Sequence, residues 1–160
     1  MAISPNDDFT AGQVLTATEC NQFPRGVMAR ATSQTTYTLP LNSSLAIATG
    51  MTVTFTAVAN RYYKITYYEP QVQTPTVLGN SQAYLKQSTF SGTVLGNGVV
   101  VNESAVQDQA GVVIYKTMTF TAGSVTLVGT GGTSSLTGAP TFIRDATREA
   151  LLLVEDIGLA

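Results

Sequence analysis

Met51-Thr52-Val53-Thr54-Phe55-Thr56-Ala57 carries an apolar side chain at every odd position and threonine at every even one. A period of two sends the two sets to opposite faces of an extended chain, so the segment reads as a strand with one core face and one wet face. Arg61-Tyr62-Tyr63-Lys64-Ile65-Thr66-Tyr67-Tyr68 follows after Ala59-Asn60, and asparagine tolerates the positive φ of a tight turn. The spacing predicts an antiparallel hairpin. A second hairpin is predicted from Val113 to Phe120 followed by Ser124 to Val128, joined around Ala122-Gly123, where glycine turns the chain at little steric cost. Weaker strands are expected at Val27 to Ala31, Thr35 to Leu39, Ala83 to Phe90 and Gly98 to Asn102, with a last strand from Ala150 to Glu155. Pro70 and Pro75 mark Glu69 to Gly79 as a long loop. The glycine-rich stretch Gly129 to Pro140 fits either a mobile loop or a short strand between turns. Short strands punctuated by Gly, Pro, Asn and Ser define an all-β chain, an antiparallel β-sandwich or jelly roll.

In front of this body, residues 27–160, stands an arm of different character, residues 1–26. Thr16 and Glu19 have the spacing of a capping box and predict one short helix, which Pro24 then stops. So short a helix is marginal alone, and its apolar residues Phe9, Val14, Leu15 and Phe23 need another surface to rest on. With Pro24 and Arg25 they form a candidate anchoring arm, its receiving surface on another subunit. Cys20, the single cysteine, excludes an intrachain disulfide and reads as an inert helix residue.

The length suits one domain with a real core plus the arm. Charged residues are 11% of the chain, against roughly 25% in soluble domains. Thr, Ser, Asn and Gln must cover the surface, or subunit contacts must hide part of it. The 8 basic and 10 acidic residues are dispersed and leave no footprint for phosphate backbones, so nucleic acid is not an expected partner. No apolar run is long enough to span a bilayer, and the acidic opening Met1 to Asp8 is unlike a signal peptide. Assembly in a cytoplasm is expected.

There is no histidine. Without it the Ser-His-Asp and Cys-His arrangements, the most common general base and the most common zinc ligand are gone. Asp145 and Glu149, within Arg144-Asp145-Ala146-Thr147-Arg148-Glu149, are the one carboxylate pair suited to glycoside cleavage, and they read more simply as alternating charges on a solvated turn or paired with a neighbouring subunit. Glu155-Asp156 offers too few oxygens for calcium, and its side chains diverge if the strand persists. Charges ending a strand, or meeting Arg25, Arg30 or Arg144, are the plainer reading. No catalytic residue, metal site or cofactor is expected. Alternation sends Tyr63, Ile65 and Tyr67 to one face and Tyr62, Lys64, Thr66 and Tyr68 to the other. The second set fits a subunit interface, ordinary surface or a glycan site, tyrosine offering apolar area with a hydrogen-bonding tip. Tyr62, Tyr68, Leu152 and Val154 are the candidate interface residues.

Two resemblances add to this. Asp8 to Gly26, of the form D-F-T-A-G-Q-V-L-T-A-x-x-x-N-x-x-P-R-G, together with Leu152-Leu153-Val154-Glu155-Asp156-Ile157-Gly158, resembles small tail, fibre or head-decoration proteins of tailed bacteriophages. Phe55 to Tyr67, Phe120 to Leu127 and the closing Leu151 to Val154 are similar to the hairpins and final central strand of the tumour-necrosis-factor-like jelly roll. The second resemblance implies a homotrimer whose axis is lined by aromatic and apolar side chains. Together they imply a non-enzymatic virion surface protein. One form is a trimeric decoration or cement protein, its arms reaching over the major capsid protein or another virion subunit. The other is a tail-fibre or receptor-binding tip whose loops, Glu69 to Gly79 and Gly129 to Pro140, meet a host surface glycan.

Overall fold

The computed structural model describes residues 23–39, 47–73, 79–102, 109–133 and 141–160. The anchoring residues Phe9, Val14 and Leu15, Cys20 and the expected short helix lie outside them. Ten strands run in order: β1 Gly26–Ser33, β2 Tyr37–Thr38, β3 Ile47–Ala57, β4 Arg61–Gln73, β5 Gly79–Gln87, β6 Val94–Asn102, β7 Gln109–Thr119, β8 Gly123–Thr133, β9 Thr141–Phe142 and β10 Ala150–Leu159. They form two antiparallel sheets. The first sheet runs β1-β10-β4, with β7 on the other edge of β4 and the short β9 and β2 extending its far end. The second runs β3-β8-β5-β6. β1 lies against β3 and β6 against β7, closing the two sides of the sandwich.

The expected faces are present. Met51, Val53, Phe55 and Ala57 are buried on β3 and Tyr63, Ile65 and Tyr67 on β4, with Thr52, Thr54 and Thr56 exposed. The expected pairings are not. β3 bonds to β8, and β4 bonds to β10 and β7, so the turn at Ala59-Asn60 carries the chain from one sheet to the other. Asn60 adopts φ 60, as the turn reading required. The turn around Gly123 does the same between β7 and β8, which belong to opposite sheets. The two expected hairpins are therefore corners of a jelly roll. Their apolar faces meet across the core instead of lying side by side, and the rings of Phe55, Tyr63 and Phe120 pack in tilted and edge-on contacts, centroids 5.3 to 5.7 Å apart, where both corners converge. Among the described residues, the consecutive strands that bond as a hairpin are β5 and β6, turned by residues 88–93.

The expected loop at Glu69 to Gly79 is partly strand, and of the two readings of Gly129 to Pro140 the strand holds as far as Thr133. β4 continues through Pro70 to Gln73, because the register shifts between Glu69 and Val72 and such an irregularity takes a residue without a ladder N–H. β8 continues through Gly129 to Thr133. Gly129 and Gly131 are there for space: a Cβ on Gly129 would lie 2.6 Å from Tyr67 Cζ, and one on Gly131 2.7 Å from Phe142 Cζ. The facing aromatic rings use the volume those side chains would occupy.

Candidate functional site: the outer face of the larger sheet

In antiparallel strands, directly opposed residues share a face. The register of β1, β10, β4 and β7 therefore builds rows across the outside of the larger sheet. Thr32, Leu151, Tyr68 and Val113 form one row, and Arg30, Leu153, Thr66 and Tyr115 the next. Val27, Glu155, Lys64 and Thr117 form a third. Tyr62 lies one step beyond, opposite Thr119. Val113 and Tyr115 are 64% and 60% exposed, and Leu151, Leu153, Tyr62 and Tyr68 are half-buried. The result is an apolar and aromatic band over three adjacent strands. A polar row borders it, where Lys64 and Glu155 form an ion pair at 2.9 Å. The hydrogen bond from Lys64 to Glu155, and then the carboxylate's charge, hold the ammonium above its ordinary pKa. The smaller sheet is the opposite on β3 and the start of β8, whose outer positions are Thr52, Thr54, Thr56, Ser124 and Thr126. Thr54 and Thr126 share a hydrogen bond at 2.9 Å.

Of the four candidate interface residues, Tyr62 and Tyr68 lie on this face. Leu152 and Val154 do not: both are 0% exposed, opposite Tyr67 and Ile65 inside the sandwich. β10 is apolar on both faces from Ala150 to Val154, so alternation alone could not say which set faced in. Register decides it, and the outward pair is Leu151 and Leu153. Val113 and Tyr115 were missed for the same reason, since Val112 and Ile114 of the same run are buried.

The charged residues also find different partners from those expected. Asp156 meets Arg61, with Nη2 donating to Oδ1 at 2.8 Å, and both side chains are buried. Arg144 is bound to Glu69, Nε donating to Oε2 at 2.9 Å. Arg30 reaches Glu149 at 3.8 Å, and Arg25 supplies its backbone N–H to Asp156. Asp145 pairs with Arg148. Hydrogen bonds from Arg148 and Thr147 hold its carboxyl far below the usual range. Glu149 accepts from Gln34 as well as pairing with Arg30. Asp145 and Glu149 are thus each engaged with basic neighbours on the surface. Glu155 and Asp156 diverge as alternation requires, one to the outer face and one to the interior. Among the described residues no group of three or more His, Cys, Asp or Glu could hold a metal ion, and no helix is long and apolar enough to cross a membrane.

No protein-family model matches the chain, and no curated protein's sequence matches it. Among solved structures, the Eiger TNF from S. frugiperda superposes with a TM-score of 0.50 at 9% identity, over 85% of this chain and 96% of that one. The body has the fold of a TNF-like jelly roll. That likeness extends to the fold and no further. A chain of infectious bursal disease virus, Gx strain, also matches, with a TM-score of 0.39 and 14% identity over 98% of this chain and 43% of that one.

Proposed function

We propose that this chain is a non-enzymatic structural protein of a bacteriophage virion, a homotrimeric decoration or cement protein on the outer capsid surface. Three jelly-roll bodies pack through the band around Leu151, Leu153, Tyr68, Val113 and Tyr115. The N-terminal arm of each then reaches onto neighbouring shell subunits. The observation that carries this reading is the apolar and aromatic band on the outer face of the larger sheet, where Val113 and Tyr115 stand exposed beside Leu151, Leu153 and Tyr68. Contiguous apolar surface of that kind marks an interaction site, and an apolar centre with a charged border is the anatomy of a subunit interface. Arms acting through one trimeric body add avidity without needing individually strong contacts.

The test is copy number in purified phage particles together with an arm deletion. Decoration predicts hundreds of copies per particle, and removal of residues 1–22 should leave a folded trimer that no longer loads. A handful of copies would move the protein to the tail and favour the receptor-binding reading. Normal loading of the truncated protein would overturn the arm's anchoring role.

A further inference from the structure

The β1-β10 ladder begins at Gly26 opposite Asp156, so Phe23, Pro24 and Arg25 lie beyond it. All three are exposed, yet their main chain is held. The Arg61 guanidinium donates from Nη2 to the Phe23 carbonyl at 2.5 Å, and Asp156 accepts the backbone N–H of Arg25. The two side chains also bind each other, and Asp156 takes the Gly158 N–H at 3.0 Å. Gly26 sits between the held segment and the ladder at φ +77, a left-handed turn that redirects the chain. A buried ion pair is a weak source of net stability, because desolvation offsets most of its attraction. Here Arg61 also donates to the Phe23 carbonyl and Asp156 also accepts the Arg25 N–H, so both partners hold the main chain of one three-residue segment.

We propose that Arg61 and Asp156 are positioning residues that clamp the root of the N-terminal arm, fixing where and in what direction residues 1–22 leave the sandwich. The pair replaces the ladder just where the chain departs from it. For the virion this means the arm starts from a defined point on each body, a consequence that rests on the anchoring role proposed above. The clamp itself does not.

Arg25 is the first basic residue of the chain, so trypsin can release the arm only by cutting the Arg25–Gly26 bond or one beyond it. The double variant Arg61→Met, Asp156→Leu removes both charges together and leaves neither buried alone. Cleavage after Arg25 should accelerate about tenfold or more, while the fragment beginning at Gly26 persists, since proteolysis follows the population of the locally opened form. Unchanged cleavage in a folded double variant would overturn the clamp. If the variant does not fold, amide exchange of the wild-type protein decides. The Arg25 N–H should exchange at least about a hundredfold more slowly than an unstructured amide, and exchange at the unstructured rate would refute the proposal. Neither readout involves a virion, so failure here is distinct from failure of the anchoring reading.

Discussion

Glu69→Ala should destabilise the folded body by about 3–5 kcal/mol, the cost of leaving one member of a buried ion pair without the other. Glu69 is fully buried and binds Arg144 through both oxygens, while Tyr67 donates its phenolic O–H to the same carboxylate. Arg144 in turn holds Thr36, whose hydroxyl donates to the Arg144 carbonyl at 2.9 Å and accepts from its N–H at 3.1 Å. The carboxylate therefore ties β4 to the segment between β9 and β10 and, through Thr36, to the stretch leading into β2. Urea denaturation at fixed protein concentration measures the loss, since any subunit association shifts the midpoint by mass action. The double variant Glu69→Leu, Arg144→Met removes both charges and should recover most of it. A loss below about 1 kcal/mol for Glu69→Ala would mean that water already reaches the pair.

Gly129→Val should cost about 3 kcal/mol, at the upper end of the range for overpacking a core. The added Cβ would fall 2.6 Å from Tyr67 Cζ and 2.9 Å from its hydroxyl oxygen. The ring cannot retreat easily. It lies between the strands carrying Leu152 and Ile114, and its hydroxyl is committed to Glu69. Shortening the opposing side chain with Tyr67→Leu should make the two changes less damaging together than their sum, with a coupling of about 1–3 kcal/mol. Strict additivity would place the Gly129 effect in strand propensity and not in the ring contact.

Which parts of this architecture could be read from the chain follows from what a period of two can and cannot encode. It assigns faces, and did so for Met51, Val53, Phe55, Tyr63, Ile65 and Tyr67. It does not name the strand next door. For the first corner the parity of the pattern nevertheless holds the answer. A two-residue turn at Ala59-Asn60 within one sheet would set Phe55 opposite Lys64 and Val53 opposite Thr66, leaving Ile65 on the far side. A core shared by Phe55 and Ile65 requires the chain to cross to the other sheet. At the second corner, Phe120 and Val125 would share a face in either arrangement, so nothing in the residues separates hairpin from crossing. Gly129 and Gly131 left loop and strand open because glycine is read as freedom; here it is clearance for Tyr67 and Phe142. The buried pairs Arg61–Asp156 and Glu69–Arg144 join residues far apart in the chain, and only the assembled sheet brings them together. The outer face of the larger sheet was half legible: Tyr62 and Tyr68 stood out by alternation, whereas Leu151, Leu153, Val113 and Tyr115 needed the register.

Sedimentation equilibrium at micromolar concentration tests most directly whether the outer face of the larger sheet joins three copies of the chain. The wild-type protein should sediment at three times the 16.8 kDa of one chain. Leu153→Asp, which places a charge in the middle of the apolar band, should sediment as a single chain with its β-sheet circular dichroism intact. A wild-type mass of one chain, or a Leu153→Asp variant that associates like the wild type, would contradict the account.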